Sequence, residues 1–351
     1  MQPTLHSFYE ITPDRILAAV EFAGFSCTGR FFQLNSMENR VYEVEIEPTG
    51  DSPFKTPSDR FKIVKFYRPG RWTLEQLQEE HQFLLDLVAD EIPVVAPLIL
   101  KNERTIAVDE GSSIFFAVFP KMGGRAPDEI ALDQADWIGR LLARIHNVGA
   151  ARPARHRLKM GVEAFGFTNL QYLEDNDVLP IDLKDQYYDV AQEICDIVHP
   201  WLQGTESIRI HGDCHLGNLL WNSQGPFWVD FDDMMVGPPA QDVWLLLSGR
   251  DEHARKQLHK LLAGYETLRP FDRSSLRLIE ALRALRYIHY ATWIAKRWKD
   301  PFFPRAFPHF GTSDYWQRQL FDLKEQLSQM NKSMRFAPDE WPYEDFDQDE
   351  N

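Results

Sequence analysis

Three cysteines in 351 residues, Cys27, Cys195 and Cys214, are few, odd in number and without paired spacing. They exclude a disulfide-stapled scaffold and suit a reducing cytoplasm. Basic charge is short as well, with 38 Lys and Arg against 53 Asp and Glu, for a formal net charge of −15. That balance excludes a nucleic-acid binder working through a broad basic field. An anionic ligand therefore has to be held by local cations, a metal or backbone amides. No apolar run approaches the roughly 20 residues of a membrane helix. The opening Met1-Gln2-Pro3-Thr4-Leu5-His6 lacks the basic-then-apolar order of a signal peptide. These absences point to a cytoplasmic protein with no membrane or nucleic-acid partner, and to a monomer by default.

What is present favours a packed, two-part chain. An apolar fraction of 44% with 13% aromatics is ample for a core, and the length exceeds the usual single domain. Val41–Ile46 alternates with period two, as does Phe61–Phe66, and the loop-like stretch from Pro48 to Asp59 lies between them. The two runs are expected to pair antiparallel. Thr73 suits the N-cap of a helix reaching about Val88, with Leu77, Phe83, Leu84 and Leu87 at helical spacing. Two more extended stretches follow, near Thr105–Val108 and Ile114–Phe119.

Past Met122-Gly123-Gly124 the pattern turns helical. Trp137, Ile138, Leu141, Leu142 and Ile145 form one apolar face, and Gln186–Val198, Arg255–Tyr265 and Leu276–Trp298 read alike. The expected fold class is α+β, with a β-rich lobe over 1–120, a mainly helical lobe over 121–337 and a hinge from Phe116 to Gly124. Residues 338–351, rich in Asp and Glu without Lys or Arg, read as a mobile acidic tail.

The most informative segment runs from His211-Gly212-Asp213-Cys214-His215-Leu216-Gly217-Asn218 through a turn at Asn222–Gly225 to Asp230-Phe231-Asp232. It reads as loop, hairpin, loop, and a hairpin returns its ends to one sheet edge. Asp213 and Asn218 before it and Asp230 after it are expected to converge around a hard cation such as Mg²⁺, which prefers oxygen ligands. A catalytic Asp five positions before a metal-binding Asn, with a second metal-binding Asp after the hairpin, is the phosphoryl-transfer arrangement. One such Asp alone would more often cap a turn; three oxygen ligands at this spacing favour chemistry. A zinc reading of His211, Cys214 and His215 is disfavoured, because no Glu lies between the histidines and Gly212 and Gly217 oppose a helix.

Lys65 lies in an apolar strand, where a cation needs partners. A kinase reading supplies nucleotide phosphates and a Glu of the following helix, Glu80 before Glu79. Leu34 to Arg40 stands where a phosphate-covering loop belongs yet contains no glycine, leaving Asn35 and Ser36 to approach phosphates. A plain polar turn is nearly as good a description.

His211-Gly212-Asp213-x-His215-x-Gly217-Asn218 followed by Asp230-Phe231-Asp232 resembles the aminoglycoside phosphotransferase and choline kinase superfamily. Val64-Lys65-Phe66-Tyr67-Arg68-Pro69, Glu79-Glu80-His81-Gln82-Phe83, Gly237-Pro238 with Gln241-Asp242, and Arg297-Trp298 with Asp300-Pro301 are similar to the bacterial stress response kinase A family. The resemblance reaches about residue 320. It implies a bilobal protein-kinase-like fold, ATP as donor, Mg²⁺ as cofactor and a Ser/Thr protein hydroxyl as acceptor, in a cytoplasmic stress response. It further implies Asp213 as proton acceptor, Asn218 and Asp230 as Mg²⁺ ligands, Ser36 as an ATP contact and Asp242 as a support of the catalytic loop. Phe116 to Pro120, with Phe119, would meet adenine. Asp232 stands where the eukaryotic activation segment has glycine and no long loop follows, so control by activation-loop phosphorylation is not expected.

Two other functions compete. A kinase for an amino alcohol, homoserine or a sugar would use the same donor machinery and differ only in its acceptor pocket, where Arg283, Arg286, Tyr287, Tyr290 and Trp293 stand on a segment that also suits plain packing. A nucleotide-binding regulator without catalysis would have had no need of Lys65, Asp213, Asn218 and Asp230 together.

Overall fold

The computed structural model describes residues 8–9, 11–48 and 54–333; the expected acidic tail lies outside them. In chain order come α1 (Pro13–Phe22), β1 (Cys27–Gln33), β2 (Arg40–Ile46), β3 (Phe61–Phe66), α2 (Leu74–Ala89), β4 (Ala107–Asp109), β5 (Ile114–Pro120) and α3 (Leu132–Ala151). They are followed by α4 (Thr168–Asp175), α5 (Ile181–Leu202), β6 (Ile208–Ile210), β7 (Leu219–Asn222), β8 (Gly225–Trp228) and β9 (Met235–Gly237). The chain continues as α6 (Ala240–Trp244), α7 (Glu252–Glu266), α8 (Leu278–Lys296), α9 (Phe302–Ala306) and α10 (Ser313–Ser333). It divides into two compact units, one of Met1–Asp128, Arg155–Arg157 and Leu216–Asp232, the other of Glu129–Ala154, Leu158–His215 and Asp233–Asn351.

The first unit is built on a five-stranded antiparallel sheet in the order β1-β2-β3-β5-β4. Alternation decides its two faces. Tyr42, Val44, Val64, Phe66, Phe116 and Val118 point one way and are covered by Ile16, Ala19 and Val20 of α1. Ala117 joins Tyr67, Leu77 and Ile106 in a second cluster, which takes α2 onto the other side. Helix α2 starts where expected: Thr73 Oγ1 accepts from Gln76 N, and Gln76 Oε1 accepts from Thr73 N, a reciprocal cap. The hairpin β7–β8 also belongs to this unit, with Leu219 opposite Trp228.

The second unit is helical apart from the short β6–β9 pair. Helices α3 and α7 approach backbone to backbone. A Cβ on Gly139 would stand 1.9 Å from Leu261 O, and one on Gly264 would stand 2.0 Å from Asp136 O, so only glycine fits at either position. Ile138, Leu141, Leu142 and Ile145 are buried as the pattern requires, but Trp137 is 48% exposed. Trp137 sits at the margin of the stripe, which is narrower than its apolar composition suggested. Helix α10 packs on α5 and α8, with Trp316 edge-on to Tyr187 at 5.4 Å. Among the described residues no helix is long and apolar enough to cross a membrane.

Candidate active site

In the first unit, β3 carries Lys65 on the α2 face of the sheet, where it is buried. Its Nζ lies 3.0 Å from Asp230 Oδ1 and 3.1 Å from Asp232 Oδ1. Burial opposes the ammonium, but Asp230, Asp232 and Glu80 outweigh it and push its pKa well up. Lys65 therefore stays charged. Asp232 is the hub of this cluster: its Oδ2 accepts from Asn39 Nδ2 at 3.1 Å and from Arg71 Nη1, and its backbone oxygen accepts from Arg157 Nη2. Burial would raise the Asp232 carboxyl; Arg71, Lys65 and Arg157 overcome that and hold it far below the usual carboxylate range.

Glu80 is buried on α2, but the direct ion partners of Lys65 are the two aspartates. The nearest cation to Glu80 is Arg157, with Nη1 at 3.8 Å from Oε2, and that oxygen accepts no hydrogen bond. Burial pushes the Glu80 carboxyl up to about 7 against the pull of Lys65. The expected Lys65–Glu80 pair is thus electrostatic rather than a contact. Glu79 is engaged elsewhere, accepting from the backbone N–H groups of Arg155, His156 and Arg157 at 2.6, 2.8 and 2.9 Å.

The hairpin brings two of the sequence-picked residues to one end. Val229 N donates to Asn218 O at 3.0 Å, so Asn218 faces the residue next to Asp230. Asp230 has φ +57°, in the left-handed region that Asp tolerates better than most side chains, and its side chain is 55% exposed. An exposed carboxylate and an amide at one hairpin end are oxygen donors suited to Mg²⁺, which takes one or two carboxylates and completes its shell with phosphates and water. Among the described residues no group of three or more His, Cys, Asp or Glu side chains is placed to hold a metal ion.

The glycine-free loop is pinned by polar contacts. Asn39 N donates to Ser36 Oγ at 3.3 Å, Asn39 Oδ1 accepts from Arg68 N at 3.1 Å, and Arg68 reaches the carbonyls of Glu38 and Met37. Ser36 is half-buried and its hydroxyl serves the loop itself. Phe119 packs its ring edge-on to His81 at 6.0 Å, while its backbone lies in β5 opposite Ile63. Sequence reasoning missed Asn39, Arg71, Arg157 and Asp232 as parts of this cluster. The doubled aspartate of Asp230-Phe231-Asp232 was the available signal.

In the second unit, Asp213 stands on the loop after β6. Gly212 has φ +85°, and a Cβ there would lie 2.2 Å from Asp233 O, so no other residue fits. Asp242 of α6, fully buried, accepts from His211 N and Gly212 N, both at 2.8 Å, and its Oδ2 lies 3.2 Å from His146 Nε2. Gln241 Nε2 adds a bond to Gly212 O at 3.1 Å. Asp213 itself lies 3.1 Å from Arg286 Nη1 through Oδ1 and 3.3 Å from His215 Nε2 through Oδ2. Burial would raise its carboxyl, but His215 and Arg286 hold it well below the usual range, so it is ionised and able to accept a proton. Burial drives the Cys214 thiol well up, which leaves it unreactive.

The Asp232 hub has a measurable consequence for acid stability. Its folded-state carboxyl binds a proton less readily than in the unfolded chain, so its stabilisation is complete above the unfolded value near 4 and disappears as pH falls below it. Asp232→Asn is expected to lower Tm at pH 7 and to flatten the fall of Tm between about pH 4 and 2. An acid limb as steep as that of the wild type would contradict the assignment.

Residues 33–279 match the model of the phosphotransferase enzyme family. Stress response kinase A of Escherichia coli K12 is 38% identical over 327 residues, covering 93% of this chain and 95% of the relative. The serine/threonine protein kinase RdoA of Salmonella typhimurium LT2 matches with the same identity and coverage. An amicoumacin kinase solved with AMP-PNP, Ca²⁺ and Ami shares the fold with a TM-score of 0.71 at 16% identity, covering 92% of this chain and 95% of that one. A microcompartment-associated aminopropanol kinase does so with a TM-score of 0.66 at 18% identity, covering 92% and 98%. With a family match over residues 33–279 and relatives 38% identical across 93% of its length, the chain belongs to the stress response kinase A family of phosphotransferases.

Proposed function

We propose that this phosphotransferase is an ATP- and Mg²⁺-dependent Ser/Thr protein kinase of the cytoplasmic stress response, working as a monomer. The observation that carries the reading is the pairing of Lys65 with Asp230 at 3.0 Å, at the hairpin end that also bears Asn218. A cation for phosphates and two oxygen donors for a metal thus stand side by side. Asn218 and Asp230 would hold Mg²⁺, which when bound would neutralise charge on the terminal phosphates. Lys65 turns to the α- and β-phosphates, and Asp232 keeps its ammonium on the sheet face. The backbone near Ser36 and Phe119 receives the nucleotide, and Glu80 adds negative potential near Lys65. Asp213 accepts the proton of the acceptor hydroxyl as its oxygen bonds to the γ-phosphorus and the bond to the β-phosphate bridging oxygen breaks, releasing ADP.

A relative named as a serine/threonine protein kinase at 38% identity supports a protein acceptor. The aminopropanol and amicoumacin kinases, alike in fold, keep a small-alcohol acceptor as the second reading. Incubation with γ-labelled ATP and Mg²⁺ separates the two. Label is expected on Ser or Thr of the protein itself and of casein, and to vanish in Asp213→Ala. Label found only in a metabolite pool would overturn the protein acceptor.

A further inference from the structure

Asp213, the proton acceptor of the proposed reaction, is already held by Arg286, and that contact bears on which acceptor the site takes. Arg286 Nη1 lies 3.1 Å from Asp213 Oδ1, yet the Arg286 side chain is 40% exposed. It stands on α8, whose same side carries Tyr290 four residues on and then Trp293, both edge-on to Phe307, with Arg297 at the C-cap just past the helix. Tyr290, itself 44% exposed, stacks on Trp293 at 5.5 Å and 21°, and Arg297 lies over Trp293 with its guanidinium 5.3 Å from the ring. The charge here runs against the rest of the molecule. Between residues 281 and 298 there is no Asp or Glu, while Arg283, Arg286, Lys296 and Arg297 are all basic, in a chain of net charge −15. Arg283 is spent on Glu280 at 3.5 Å.

We propose that Arg286 is a specificity-determining residue that selects acceptor segments carrying an acidic side chain close to the phosphorylated Ser or Thr. The inference rests on the protein-kinase reading above and deepens it. From Arg286 to Arg297 the helix rises about 16 Å, the length of roughly five residues of extended peptide. A small alcohol would not need a stripe of that reach. The acidic side chain of such a segment offers Arg286 a second carboxylate, and the aromatic shelf of Tyr290 and Trp293 supports the chain beyond it. As Arg286 turns to that carboxylate, Asp213 loses the cation that weakens it as a base. An acceptor of the right charge therefore improves the proton acceptor it is about to use.

The test uses the whole protein with ATP, Mg²⁺ and two Ser peptides that differ only in having Asp or Ala at the five positions flanking the serine on either side. Wild type is expected to favour the acidic peptide in kcat/KM by roughly tenfold or more, the value of one charge-assisted hydrogen bond. Arg286→Gln is expected to bring that ratio close to one, and Arg286→Lys to restore part of it. Equal use of both peptides by the wild type, with label transferred, would overturn this proposal alone. A rise in KM for ATP in Arg286→Gln with the peptide preference intact would assign Arg286 to the donor and overturn it as well. If neither peptide takes label while a small alcohol does, the protein-kinase reading falls, and this inference with it.

Discussion

Asp213→Asn is expected to lower kcat about 10²–10⁴-fold while nucleotide affinity stays within a few-fold of wild type. The substitution keeps shape and removes the acceptor of the proton. In the wild type, Asp213 is ionised because His215 and Arg286 stabilise its charge more than burial opposes it. An amide in the same place cannot take a proton, and it leaves Arg286 without its carboxylate. The residues proposed to meet the nucleotide, Lys65, Asn218 and Asp230, are not altered. Single-turnover transfer from labelled ATP reads the chemical step, and calorimetric titration with a non-hydrolysable ATP analogue reads binding. Full turnover in the variant would remove Asp213 from the chemistry. Loss of binding in step with loss of turnover would show that it serves the nucleotide instead.

Asp242→Ala is expected to destabilise the protein by about 3–5 kcal/mol, the cost of removing one partner from a buried charged network. Two N–H groups, of His211 and Gly212, would be left buried without acceptors, and His146 Nε2 would lose the oxygen 3.2 Å away. Each stranded donor costs about 1–3 kcal/mol. The bonds that Asp242 makes also shape the turn that presents Asp213, so activity should fall further than the unfolded fraction explains. Urea denaturation of wild type, Asp242→Asn and Asp242→Ala checks the ranking. The midpoint should fall in that order, because Asn retains one oxygen acceptor. An Ala variant with a wild-type midpoint would mean that the loop is held by Gln241 and local contacts alone.

Much of the first unit's fold was legible because its signals are local. Strands β2 and β3 pair antiparallel as expected, and Thr73 with Gln76 forms the cap that the side chains suggested. Strand β1 escaped notice because most of it is exposed, so no alternation between buried and open positions marks it. Helix α1 was missed despite Pro13 at its first position, a signal that was there to be used. Helices α5, α7 and α8 all appear close to where their periodicity placed them.

The candidate site divides along the same line. Spacing along the chain picked out Asp213, Asn218 and Asp230 as candidates, since all three lie in one short segment around a hairpin. The partner of Lys65 was read as Glu80 of the adjacent helix, and the structure instead sets the lysine directly against Asp230 and Asp232, 165 and 167 positions along the chain. Asn39 meets Asp232 across 193 positions, and Arg286 meets Asp213 across 73.

By itself, then, the sequence determined the types of the main secondary elements and which residues stand as candidates for the reaction, because periodicity, capping and motif spacing act over a few residues. Only the tertiary structure decided which charge neutralises which. The strength of an ion pair depends on distance and burial, and both arise when segments far apart in the chain pack together.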